Sequence, residues 1–229
     1  MWSSALAVDN SRILKFSSRS LIHEVLAMEL IRDKTDIPVA TPLMTFSDTD
    51  EMFIVMTVIP GEPLSEKWSS LSGGELADIA NELIGHIESI RSLGASLSDG
   101  EPLIGAWPVG PLRNVLFDPP SPRPFSSSIE LRTYWEQRLK KRRSIRVPQQ
   151  THVVLTHGDL GTQNILVKDA HIVGIVDWDT FGWYPDYWEG LMFHRRTDQR
   201  LHEYKGKILE KLGLPDVEDY ELAIREALL

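Results

Sequence analysis

Thr156-His157-Gly158-Asp159-Leu160-Gly161-Thr162-Gln163-Asn164-Ile165-Leu166-Val167, followed by Ile172-Val173-Gly174-Ile175-Val176-Asp177-Trp178-Asp179, is the stretch that decides the fold. Two apolar runs, Ile165 to Val167 and Ile172 to Val176, flank a polar turn at Lys168-Asp169-Ala170, which reads as strand, turn, strand. Antiparallel pairing brings Asp177 back towards Asn164, and Asp159 lies on the loop that feeds the first strand. Oxygen ligands that converge in this way suit Mg²⁺, with nucleotide phosphates completing its shell. The arrangement is that of a phosphotransfer site.

His157, Asp159, Leu160 and Asn164 stand in the spacing H-x-D-L-x-x-x-N, which with a metal-binding Asp beyond the next strand is the kinase catalytic pattern. With His-Gly-Asp in the loop and Asp177-Trp178-Asp179 after the strand, the chain resembles the aminoglycoside phosphotransferase and choline kinase family. Phe181-Gly182-Trp183-Tyr184-Pro185-Asp186-Tyr187-Trp188-Glu189 adds to the likeness, and the chain looks like the small-molecule kinase homologues abundant in filamentous fungi.

The resemblance implies an α+β, protein-kinase-like fold of two lobes. Residues 1–58 would form a reduced N-terminal nucleotide-binding lobe, a small antiparallel sheet plus a helix, and 59–229 a mostly helical catalytic and substrate lobe. It further implies ATP and Mg²⁺ as cofactors. Asp159 would orient the acceptor hydroxyl and take its proton, while Asn164 and Asp177 would hold the metal. His157 would brace the loop by hydrogen bonding. Lys15 would reach the α- and β-phosphates with Glu24 as its ion-pair partner, since Glu24, Ala27 and Met28 fit the family spacing better than Glu29 does. The base would meet the backbone at Thr57 and Val58.

Composition narrows the setting. At 229 residues and 42% hydrophobic content the chain can bury one core or two small lobes. No apolar stretch approaches the ~18 residues of a membrane span, and no secretory signal is evident. Zero cysteines exclude disulfides, thiolate metal sites and cysteine nucleophiles. These point to the cytoplasm. The net charge of -9 argues against nucleic acid and slightly favours cationic small molecules. The partner expected is a hydroxylated small molecule, cationic or a secondary metabolite, with no protein partner. The run Arg138, Lys140, Lys141, Arg142, Arg143 and Arg146 reads as a solvated helix end.

Along the chain, Ile13 to Phe16 reads as a strand and Leu21 to Arg32 as a helix that ends before Pro38 and Pro42. An extended passage leads to a strand at Met52 to Met56 and a turn at Pro60 to Pro63. Apolar spacing at Leu76, Ile79, Leu83, Ile87 and Ile90 makes Ser72 to Leu93 a helix. Residues 94 to 125 read as an ordered loop, Ser127 to Lys141, Asp186 to Arg196 and Leu201 to Leu212 as helices, and Val217 to Leu229 as a last one. The aromatic run 183–188 reads as core, and Asp179 as a turn cap.

One departure keeps other readings open. The family places two strands and a phosphate-covering turn ahead of the lysine, but only fourteen residues precede Lys15 and the first glycine is Gly61. Close backbone approach to phosphate favours glycine. The chain is therefore a kinase with a different turn, a shortened version of a longer protein, or a kinase-derived protein that has left phosphotransfer. In the last case Asp159 and His157 would serve a cyclisation or dehydration, or the protein would only bind.

Overall fold

The computed structural model describes residues 4–98, 100, 102–113, 121–138, 151–196 and 202–211. The basic residues from Lys140 to Arg146, the far end of the helix expected to reach Lys141, and the helix expected from Val217 lie outside them.

The chain opens with β1 (Ser4–Ala7), β2 (Arg12–Ser17), α1 (Ile22–Lys34), β3 (Pro42–Asp48) and β4 (Glu51–Thr57). The strands form an antiparallel sheet in the order β1-β2-β4-β3. The strand β3 corrects the reading of 42–48 as a mere extended passage. Every residue of it but Pro42 is exposed, so no alternation of burial marked it in the sequence. Helix α1 buries Glu24, Val25, Ala27, Met28 and Ile31, a face repeating at three and four residues.

Beyond the sheet come β5 (Glu62–Pro63), α2 (Leu64–Lys67) and α3 (Gly73–Leu97). Residues 62 and 63, read as part of a turn, instead pair with the strand at Val167 and Leu166. Helix α3 starts at a reciprocal cap: Ser72 Oγ accepts from Glu75 N, and the Glu75 carboxylate accepts from Ser72 N at 2.7 Å. Its apolar stripe from Ile79 to Leu93 is buried. It ends in contact with a strand at Gly94, where an added Cβ would stand 2.6 Å from Leu155 Cβ.

The remaining elements are β6 (Gly105–Ala106), α4 (Ser128–Arg138), β7 (Val153–Thr156), β8 (Ile165–Lys168), β9 (His171–Ile175), β10 (Gly182–Pro185), α5 (Trp188–Arg196) and α6 (His202–Lys211). The sheet β6-β10-β7 leads at Thr156 into the loop at 157–164, and β5-β8-β9 contains the hairpin. The aromatic run is core, as expected: Tyr184, Tyr187 and Trp188 pack with Ile104, Leu112, Phe125 and Leu131 of the preceding loop and helix. One larger core runs continuously from α1 and Ile54 through α3 to Ile165, Ile175 and Trp178. Among the described residues no helix is long and apolar enough to cross a membrane.

The hairpin turns at Asp169 and Ala170, with φ of 50° and 61°. Two positive φ values match the twist of the strands but suit Asn, Asp or Gly, and a Cβ at Ala170 is strained there. Ala170→Gly is therefore expected to raise unfolding free energy by up to about 1 kcal/mol in urea titrations; a loss of stability would contradict the turn geometry.

Candidate active site

The register Ile165↔Ile175 sets the two ends of the hairpin side by side. Val176 N donates to Asn164 O at 3.0 Å, so Asp177 leaves β9 next to Asn164. Asn164 Nδ2 donates to Asp159 O at 2.9 Å, which joins the catalytic loop to the hairpin. Asp177 has φ 67° and ψ 61°, a left-handed conformation that Asp tolerates better than most residues. Its Oδ1 accepts from Lys15 Nζ at 2.7 Å, and the same ammonium donates to Glu24 Oε1 at 2.7 Å. Asp159 (through its carbonyl), Asn164, Asp177, Lys15 and Glu24 thus lie in one run, joined by these hydrogen bonds and by the chain step from Val176 to Asp177, that crosses from the hairpin to the first sheet and α1.

Lys15 and Glu24 are both buried. Burial opposes the charge on Lys15, but Glu24 and Asp177 outweigh it and hold the ammonium above its ordinary range. Thr57 and Val58 stand apart from this run, at the end of β4. Their N–H groups donate to Thr41 O at 3.0 Å and Ser11 O at 2.9 Å, so both amides belong to the sheet. For the next amide, Ile59 N–H, no backbone acceptor is found among the described residues.

His157 is wholly buried. Its Nε2 donates to Val176 O at 3.1 Å, and its Nδ1 accepts from Asp159 N at 3.4 Å. One donor and one acceptor require the neutral ring, and burial pushes its pKa down to about 4 against the pull of Asp177 and Val176 O. A buried neutral ring with both nitrogens bonded to backbone is a brace for the loop and has no face left for a reactant. Gly158 is glycine for a backbone reason. Its φ is +90°, and a Cβ would lie 2.5 Å from Thr180 O.

Two residues of this region were not assigned to the site from sequence. Glu189, on α5, is buried, and its Oε2 accepts from His157 N at 2.9 Å. It holds the backbone of the loop and is closed to solvent. Asp179 does more than cap a turn, since it pairs with Arg113 NH1 at 3.3 Å. Neither contact had a local signal, because each partner is far away in the chain.

Burial pushes Glu189 up to about 7, although the N–H groups of His157, Leu160 and Gly158 and the charge of Arg91 favour its ionised form. Its folded pKa lies above the ordinary 4.5, so between these values the native state binds more protons than the unfolded one. Stability from this group is present at low pH and is lost as pH rises towards 7. The wild-type protein is expected to lose stability relative to Glu189→Gln from pH 4.5 to 7, by on the order of 3 kcal/mol, and to level off above. Urea titrations across that range check this, and a pH-independent difference would contradict it.

A profile of the phosphotransferase enzyme family, APH, matches residues 5–218. No curated protein sequence matches the chain. Among solved structures, the GDP and kanamycin complex of APH(2")-IIia superposes with a TM-score of 0.64 at 15% identity, over 98% of this chain and 77% of that one. APH(3'')-Id from Streptomyces rimosus, in complex with ADP and streptomycin, gives 0.56 at 15% identity over 98% and 91%. Choline kinase LicA from Streptococcus pneumoniae gives 0.53 at 12% identity over 99% and 77%. The fold is the protein-kinase-like one of these enzymes, and the chain belongs to the APH phosphotransferase enzyme family.

Proposed function

We propose that this protein is an ATP- and Mg²⁺-dependent phosphotransferase that acts on a hydroxyl of a small molecule. The reading rests above all on the run from Asp159 through Asn164 and Asp177 to Lys15 and Glu24, found in a member of a phosphotransferase family. We assign residues 1–58 to the nucleotide lobe and 59–229 to the catalytic and substrate lobe, and the reaction to the cytoplasm, where ATP is supplied.

Among the described residues no three His, Asp or Glu side chains form a self-sufficient metal site. This suits an ion that takes one or two protein oxygens and completes its shell with phosphate and water. Asn164 and Asp177 would hold it. Asn164 Nδ2 is committed to Asp159 O, which leaves the amide oxygen as its ligand end. Bound Mg²⁺·ATP supplies the phosphoryl group and neutralises charge on it. The chain's own residues then position and move the proton. Asp159 would orient the acceptor hydroxyl and accept its proton as that oxygen bonds to the γ-phosphorus, with the bond to the bridging oxygen broken and ADP as the leaving group. Lys15 offers a permanent charge to phosphate oxygens, and Glu24 keeps that charge in place. Thr57 and Val58 mark where the base docks, and the Ile59 amide is available to it. The overall charge of -9 favours a cationic acceptor.

A second reading rests on the connection between β1 and β2. It is a tight turn, closed by Val8 N on Arg12 O at 2.9 Å and by the Asp9 carboxylate on Ser11, with no glycine. With no glycine in that turn to let backbone approach phosphate, the cleft would serve a nucleotide-independent reaction or plain binding.

Turnover separates the two. With an acceptor found by screening hydroxylated metabolites, Asp159→Asn is expected to lower phosphoryl transfer by about 10²- to 10⁴-fold with Mg²⁺·ATP binding retained. Unchanged turnover would sink the role given to Asp159. Activity that persists in EDTA without ATP would favour the second reading.

A further inference from the structure

The segment from Gly105 to Arg113 has no part in the reading above, yet it touches both flanks of the hydrogen-bonded run. Trp107 O lies 3.0 Å from His23 Nδ1 on α1. Arg113 makes the larger connection. Its NH2 donates to Ser20 O at 3.0 Å, just ahead of the helix that carries Glu24. Its NH1 lies 3.3 Å from Asp179 Oδ1, two residues beyond Asp177. Its own carbonyl accepts from Tyr184 OH at 3.1 Å, a hydroxyl that also bonds Thr180 O at 2.7 Å. The base of the side chain is thereby fixed to the floor of the site while its fork spans the two walls.

The electrostatics support a mechanical role. Arg113 NH1 and Asp179 Oδ1 are themselves shut off from water and make no well-aligned hydrogen bond, so the two charges of these partly exposed side chains are held together by attraction at 3.3 Å. The carboxylates of Glu24, Asp177 and Asp179 crowd this corner, and Lys15 and Arg113 are the cations paired with them. A planar guanidinium can serve two acceptors on diverging elements at once, which a single ammonium does poorly.

We propose that Arg113 is a positioning residue that fixes the spacing between the flank carrying Glu24 and the flank carrying Asp177, and so the alignment of Lys15 with bound nucleotide. The proposal rests on the nucleotide reading above. Arg113→Ala leaves the half-buried Asp179 carboxylate, with its Oδ1 shut off from water, without this partner, so it lowers stability whatever the role of Arg113. The double variant Arg113→Ala/Asp179→Asn removes that stranded charge without restoring the tie.

The experiment measures thermal stability and the Kd for Mg²⁺·ATP on the wild-type chain, Arg113→Ala, the double variant and Arg113→Lys. The expected result is that the double variant regains much of the stability lost in Arg113→Ala, while its Kd stays raised by on the order of tenfold or more. Arg113→Lys recovers only part of the affinity. A wild-type Kd in Arg113→Ala or in the double variant overturns the proposal, as does full rescue by Lys. Failure of the wild-type protein to bind Mg²⁺·ATP is a different outcome: it overturns the nucleotide reading, and this inference with it.

Discussion

The Lys15 ammonium is withdrawn from water and lies 2.7 Å from each of two carboxylates, neither of them on its own strand. Glu24 comes from α1 and Asp177 from the far end of the hairpin. A buried ammonium is tolerable only with such partners; Glu24 is buried with it, and loss of that partner costs about 3–5 kcal/mol, while the part-exposed Asp177 contributes less. The sheet, the helix and the hairpin therefore cannot drift apart without exposing an unpaired charge. Two of the three groups that hold the two halves in register, Lys15 and Asp177, are those we propose for phosphate and metal, and Glu24 keeps the first in place.

The catalytic loop is held by a separate set of contacts. Glu189 accepts from His157 N, Thr180 Oγ1 donates to His157 O at 2.9 Å, and Trp188 Nε1 donates to Gly158 O at 3.3 Å. The His157 ring, neutral by burial, ties Asp159 N to Val176 O. Backbone groups from 157 to 159 are thus fixed on several sides, and the site does not rely on loop propensity for its shape. Such a scaffold keeps Asp159 in place before any ligand arrives.

Much of this was legible in the chain because its signals are local. The hairpin follows from two apolar runs and a polar turn, and its register alone brings Asn164 beside Asp177. The resemblance paired Lys15 with Glu24, and in the structure the Lys15 ammonium meets both Glu24 and Asp177. What stayed hidden depends on contacts without a sequence period. Strand β3 is exposed on both faces and shows no alternation. Strands β6, β7 and β10 are short, and their pairing joins segments far apart in the chain. Glu189 looked like an acid in an aromatic run, and only the fold turns it onto the backbone of His157. The resemblance places the base at the backbone of Thr57 and Val58, but pairing within the sheet claims both amides.

The central claim is that this network still holds a magnesium nucleotide although the turn ahead of Lys15 carries no glycine. Calorimetric titration of the chain with Mg²⁺·ATP, beside Asp177→Ala and beside ATP in excess EDTA, tests it most directly. The account predicts saturable binding by the wild-type chain that is lost in the variant and on chelation. A folded wild-type chain with no binding, or binding indifferent to Asp177 and to metal, would contradict it.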